Sequence, residues 1–260
     1  MNGPDTPTNT RLRQAGLTLL AWLSVTIFLG AFLRQDKPAS TVDLIAALSS
    51  GVAWNVVLAL GVLALATRFY GWRDLGFTAP HWRSVFLLMW FPLLCLAPIF
   101  ALAVFIGLPP GRALAFFALN TTLIAVSEEW MFRGILYHAL SARLRPWPAI
   151  LLTSLGFGAI HVLNVFAFAD LSQAAGQAVA AMMTGLLLLA LRIRTGSIWT
   201  SVVFHMVWNF GLLLIAYEAA QQPMPQGPLP LEAYLVPLII VTPNLLYALV
   251  LLRKVRNRPD

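Results

Sequence analysis

The sequence predicts an all-α protein, a polytopic membrane helix bundle of about eight transmembrane helices, and three observations carry that reading. Hydrophobic residues fill 59% of the 260 positions and charged residues only 10%, too few charges to clothe a water-soluble globule. Apolar runs long enough to cross a hydrocarbon core of about 30 Å, roughly 20 residues of helix, recur along nearly the whole chain. Turn-forming clusters separate those runs: Leu108-Pro109-Pro110-Gly111, Arg145-Pro146-Trp147-Pro148 and the Pro-rich stretch from Gln222 to Pro230.

In chain order the expected spans are Gly16–Leu33, Leu44–Thr67, Val85–Ile106, Ala113–Leu140, Ala149–Phe168, Leu171–Leu191, Ser197–Tyr217 and Leu235–Leu252. The first is longer than a signal-peptide core, lacks a small-x-small cleavage site after it and leads into further spans, so it reads as a retained helix. Residues 1–10 form a polar N-terminal tail, 11–252 a single transmembrane domain and 253–260 a basic tail. The single cysteine, Cys95, can form no internal disulfide and says nothing of compartment. The net charge of +7 is dispersed between apolar runs. It therefore implies no nucleic-acid partner and leaves the lipid bilayer as the surrounding medium. Oligomeric state has no signature in the sequence.

The basic residues serve instead as topology signals, because short cytoplasmic loops are enriched in Lys and Arg. Thirteen lie in the N-terminus, the second, fourth and sixth connections and the tail; three, Arg34, Lys37 and Arg112, lie in the alternate segments; Arg133 falls inside a span. An even number of spans with both termini cytoplasmic follows. The expected location is the plasma (inner) membrane of a prokaryote.

Ionisable side chains inside spans cost at least about 2.5–3.5 kcal/mol each on insertion scales, so they mark function by default. Glu128, Glu129 and Arg133 occupy the fourth span, His161 the fifth, and His205 with Asn209 the seventh. Counting 1.5 Å per residue from the cytoplasmic ends puts Glu128, His161 and His205 at a common depth of about 12–18 Å. Glu129 and Arg133 are four apart and can pair, whereas Glu128 is turned away by about 100° and stays free. His205 and Asn209 share a helix face by the same spacing, and Phe157 stands beside His161. The bland alternative is that such groups only hydrogen-bond neighbouring helices. His81, His138 and Asp170 read as solvated loop residues without a catalytic part.

The stretches Glu128-Glu129-Trp130-Met131-Phe132-Arg133, Phe157-Gly158-Ala159-Ile160-His161 and His205-Met206-Val207-Trp208-Asn209 resemble the EExxxR, FxxxH and HxxxN motifs of the CAAX-protease and bacteriocin-processing (CPBP, or Abi) family. The resemblance runs from about residue 113 to 217, and the first three spans contribute nothing diagnostic to it. It implies an intramembrane peptidase that cuts a membrane protein or a lipid-modified peptide. In that reading Glu128 is the general base acting on water, His161 orients the water, and His205 with Asn209 stabilises the oxyanion. Glu129, Arg133 and Phe157 support them. A competing chemistry makes Glu128, His161 and His205 ligands of zinc with water in the open position; the metal-free form is favoured because Asn209 suits an oxyanion better than a metal. Signatures of HExxH, GxSG and GxGD proteases are absent. Two other classes remain: a transporter using the polar layer as an ion site, disfavoured because no second interrupted segment mirrors it, and a non-catalytic immunity or scaffold protein.

Overall fold

The computed structural model describes residues 7–29, 40–165, 171–222 and 231–255, and among them every regular element is helical. Helix α1 (Pro7–Leu23) continues as a π-helical stretch, Ser24–Leu29. Then follow α2 (Thr41–Ser50), α3 (Trp54–Tyr70) and α4 (Trp82–Ile106). Helix α5 (Gly111–Glu129) runs through a π-helical segment, Trp130–Leu136, into α6 (Tyr137–Ser141). Helix α7 (Pro146–His161) ends in a 3-10 turn, Val162–Asn164, and α8 (Leu171–Thr195), α9 (Ile198–Ala220) and α10 (Leu231–Leu252) complete the bundle.

Local chemistry explains several boundaries. Pro146 opens α7, where its missing N–H costs nothing. Ser197 caps α9 by accepting from the Trp199 N–H, and Gly71 closes α3 in the left-handed conformation at φ 68°.

Five helical stretches are long and apolar enough to cross a membrane: α4, Pro146–Asn164, α8, α9 and Leu235–Leu252. This is an integral membrane protein by that measure. The expected count of eight is not reproduced, for three physical reasons. The end of the first span, beyond Leu29, lies outside the described residues. The fourth span is polar where it matters most, carrying Asn120, Thr121, Thr122, Ser127, Glu128 and Glu129 in α5 before the π segment interrupts it.

The second span is the clearest correction. The run Leu44–Thr67 is not one helix but α2 and α3, bent by 75° across a three-residue break. Asn120 of α5, itself fully buried, sustains the break. Its Oδ1 accepts from the Ala53 N–H at 2.9 Å, and its Nδ2 donates to the carbonyls of Leu48 (2.9 Å) and Gly51 (2.8 Å). Irregular backbone in a membrane protein must be served by protein or by a cavity, and here one amide takes the place of the missing helical ladder. Periodicity could not show this, because the apolar run continues through the break.

Helix α8 is the centre: 67% of its membrane-crossing stretch is buried, against 28% for α4 and for α10. It packs between α7 and α10, while α9 lies against α4 and α5. The first helix is fastened to this core by the Trp22 indole N–H, which donates to Ser127 Oγ at 2.8 Å. Outside the apolar layer, Arg11 makes a two-pronged pair with Asp74 and holds that carboxyl below its ordinary range. His138 completes the cluster at 2.8 Å from Asp74; it sits on α6 rather than in a loop. Asp170, Phe168, Arg34, Lys37, Arg256, Arg258 and residues 223–230 lie outside the described residues.

Replacing Asn120 by Ala orphans one N–H and two carbonyls at the bend, each worth about 1–3 kcal/mol when buried. The expected outcome is a clear drop in the melting temperature of the detergent-purified protein. An unchanged melting curve would show that the amide does not hold the bend.

Candidate functional site

The two adjacent glutamates face different worlds, as a helical step of about 100° requires. Glu129 points into the protein and is fully buried. Its Oε1 accepts from Arg133 Nη1 at 2.9 Å and from His205 Nδ1 at 2.9 Å. Arg133, also fully buried, donates from Nη2 to the Gly185 carbonyl of α8 at 3.0 Å, and its guanidinium lies 4.2 Å from the centre of the Phe157 ring. One carboxylate thus joins the π segment, α8 and α9. The π segment begins directly after Glu129, and the Tyr137 N–H reaches back five residues to Phe132, an uncommon geometry concentrated at functional sites.

Glu128 turns the other way, into a cavity of about 960 Å³ whose wall it shares with Phe157, His161, His205 and Asn209. Its side chain is 17% exposed, and Oε2 lies 3.6 Å from His205 Nε2, too far for a direct hydrogen bond. That oxygen has no hydrogen-bond partner among the described residues. The His205 imidazole therefore stands between two carboxylates. A carboxylate can only accept, so Nδ1–H is the donor to Glu129, and in the neutral ring Nε2 is left as an acceptor facing Glu128.

His161 follows the same logic. Its Nδ1 lies 2.7 Å from the Phe157 carbonyl, which can only accept, so the neutral ring again keeps an acceptor at Nε2. Phe157 is the spacer among these groups. Its ring centre is 4.9 Å from His161, 5.9 Å from His205 and 5.2 Å from Phe132, edge-to-face in each case.

Glu128, Glu129, Arg133, Phe157, His161, His205 and Asn209 all lie in this one region, but the motif reading missed how the parts connect. It paired Glu129 with Arg133 alone, whereas His205, 76 positions away, is a second partner on the same oxygen. It also missed Gly158 and Gly185. A Cβ on Gly158 would come within 2.7 Å of the Ala178 carbonyl and 2.8 Å of Met182 Cβ, so α7 and α8 approach backbone to backbone within the FxxxH stretch. A Cβ on Gly185 would press on Phe157 and Arg133 at 3.2 and 3.3 Å. Nor are the first spans idle: Thr26, Leu44, Ala53 and Asn55 line the cavity, and Asn55 Nδ2 donates to the Thr26 carbonyl at 2.8 Å. No local pattern marks these positions, because their partners come from distant helices.

Among the described residues no group of three or more His, Cys, Asp or Glu side chains is placed to hold a metal ion.

Residues 110–211 match the model of a family described as type II CAAX prenyl endopeptidase, Rce1-like. The match contains all three motifs and agrees with the resemblance read from them. No curated protein and no solved structure matches the chain.

Removing one partner of a buried ion pair strands the other, typically at a cost of about 3–5 kcal/mol. Arg133→Ala is expected to lower the melting temperature in detergent sharply. Glu129→Leu with Arg133→Leu should recover only part of the loss, because His205 Nδ1 then lacks its acceptor. An Arg133→Ala protein that melts like wild type would mean that the pair does not hold the bundle together.

Proposed function

We propose that this protein is an intramembrane endopeptidase that hydrolyses a peptide bond of a membrane-associated or lipid-modified protein, using Glu128 and no metal. The observation that carries the reading is the position of Glu128: a carboxylate oxygen without a partner, in a cavity, 3.6 Å from the free edge of an imidazole whose other nitrogen is held by a buried carboxylate.

The chemistry follows from the hydrogen-bond directions. A water beside Glu128 and His161 gives one hydrogen bond to the carboxylate and another to His161 Nε2, which fixes its lone pair. As the water oxygen attacks the peptide carbonyl carbon, its proton moves to Glu128. Neutral His205 cannot donate from Nε2; transfer of that proton from Glu128 to Nε2 makes it a donor. Glu129 behind the ring balances the new charge. His205 and the Asn209 amide then stabilise the oxyanion, about 3–4 kcal/mol for each well-placed donor. Collapse of the tetrahedral intermediate breaks the C–N bond, with the proton passing from His205 to the leaving amine, and the carboxylate and imidazole return to their starting forms.

In the membrane, this reading keeps eight crossings, with the bent pair α2 and α3 as one of them and both termini in the cytoplasm of a prokaryotic cell. The similarity over residues 110–211 supports peptidase chemistry over a transporter or a non-catalytic scaffold.

Glu128→Gln keeps shape and removes basicity. It should reduce cleavage by at least about 10²-fold while leaving the melting curve near that of wild type, measured by comparing the membrane-protein fragments in cells carrying either form. A chelator should leave wild-type turnover unchanged. Loss of activity with chelator and its return with zinc would move the mechanism to a metal, and unchanged phenotype in Glu128→Gln would favour a scaffold.

A further inference from the structure

The cavity has a direction. On α5 its wall includes Thr121, Ile124 and Glu128 and stops there; on α7 it starts at Phe157 and runs on to Asn164. These helices run antiparallel, so both limits describe one floor at the level of the catalytic side chains. Helix α8 repeats the pattern from the other side. Its wall residues extend from Gln173 to Thr184, and from Thr184 to Leu191 every residue is buried. Below the floor, Met131 through Ile135, Ile150 and Leu187 close the bundle with packed side chains. The space therefore extends from Glu128 only toward the end of the bundle where α4 ends, α5 begins and α7 finishes.

That face is the one poor in basic residues. Arg143 and Arg145, Arg192 and Arg194, Arg68 and Arg73, and Arg253 with Lys254 all lie at the closed end. By the enrichment of Lys and Arg in cytoplasmic loops, the closed end is cytoplasmic and the cavity extends to the opposite side. The outer half of its wall carries neutral amides, Asn55, Asn164, Gln173 and Gln177, and no charge. Amide side chains both donate and accept, which suits the backbone of an extended peptide. At the rim, Trp54 (61% exposed), Leu212 and Ile240 present apolar surface, so the cavity also meets lipid.

We propose that the site takes its substrate from the extracytoplasmic side: a neutral, extended segment of a membrane-anchored protein at or just inside the outer leaflet, rather than a lipidated tail presented from the cytoplasm. This rests on the peptidase reading for the word substrate, but not for the direction of access.

Single-cysteine accessibility tests the direction without any turnover. With Cys95, the only cysteine, changed to Ala, cysteines are placed at Gly176 and Ala180 in the cavity wall, where Gly176 has free space for a side chain. Arg112→Cys and Arg143→Cys, both exposed, report the two faces. A membrane-impermeant thiol reagent is applied to intact cells and to inverted vesicles. Labelling of Gly176→Cys, Ala180→Cys and Arg112→Cys in intact cells, with Arg143→Cys labelled only in inverted vesicles, is the expected result. Cavity cysteines labelled only in inverted vesicles, labelled in neither preparation, or accompanied by Arg143→Cys labelling from outside would each overturn the proposal. Adding Glu128→Gln should leave the labelling pattern intact even if cleavage assays refute the peptidase reading, so the two failures are separable.

Discussion

A single buried carboxylate organises the site. Glu129 has no exposed surface, and one of its oxygens accepts from both Arg133 and His205. Ionised groups buried in a low-dielectric interior are costly unless paired and hydrogen-bonded. Here the compensation is spread over several helices: the guanidinium reaches across to the Gly185 carbonyl of α8 and rests on the Phe157 ring of α7. Pulling any one of these helices away would expose an unbalanced charge to hydrocarbon. The same contacts that repay burial therefore fix the relative positions of α5, α7, α8 and α9. The functional atoms Glu128 Oε2, His161 Nε2 and His205 Nε2 inherit their geometry from that frame.

The rest of the fold serves the requirement that the site be roomy and yet dry behind. Helices α7 and α8 approach through Gly158 more closely than any side chain there would allow, which brings their backbones together alongside the cavity. On the other side, both arms of the bend between α2 and α3 and the break itself supply wall residues of the cavity, among them Leu44, Ala53 and Asn55. A straight second span would have no unpaired backbone, but it would run on in the line of α3. Asn120 makes the bend tolerable by satisfying three main-chain groups at once, a local solution to the general rule that irregular backbone in a membrane must be served by protein or by a cavity.

What was legible in the sequence follows from the range of each interaction. Helical class and most span boundaries rest on composition and runs of 20 or so residues, which are local, and α4, α8 and α9 begin and end within a few positions of expectation. The four-residue spacing of Glu129 and Arg133 is also local, and the pair forms at 2.9 Å. The break at Gly51 is invisible because its cause, Asn120, lies about 70 positions away, and the His205–Glu129 bond is hidden for the same reason. The part played by the first spans is hidden similarly: Trp22 and Asn55 act through distant partners, Ser127 and the Thr26 carbonyl. Spacing reveals what a single helix can hold, and the bundle supplies the rest.

The proposed mechanism gives the two adjacent glutamates different tasks, and their surroundings differ accordingly. A carboxylate that anchors a guanidinium and an imidazole in the dry interior commits one oxygen, Oε1, to both of them. A carboxylate that must take a proton from water has to remain unpaired and face the cavity, as Glu128 does. One side chain cannot meet both demands, because pairing lowers the basicity that catalysis uses. A helix step of about 100° separates the two environments within neighbouring residues, and His205 then spans the gap, touching the structural acid through Nδ1 and facing the reactive one through Nε2. The imidazole thereby touches both acids at once. In the proposed mechanism its ring orientation, set by the bond from Nδ1 to Glu129, is what turns Nε2 toward Glu128.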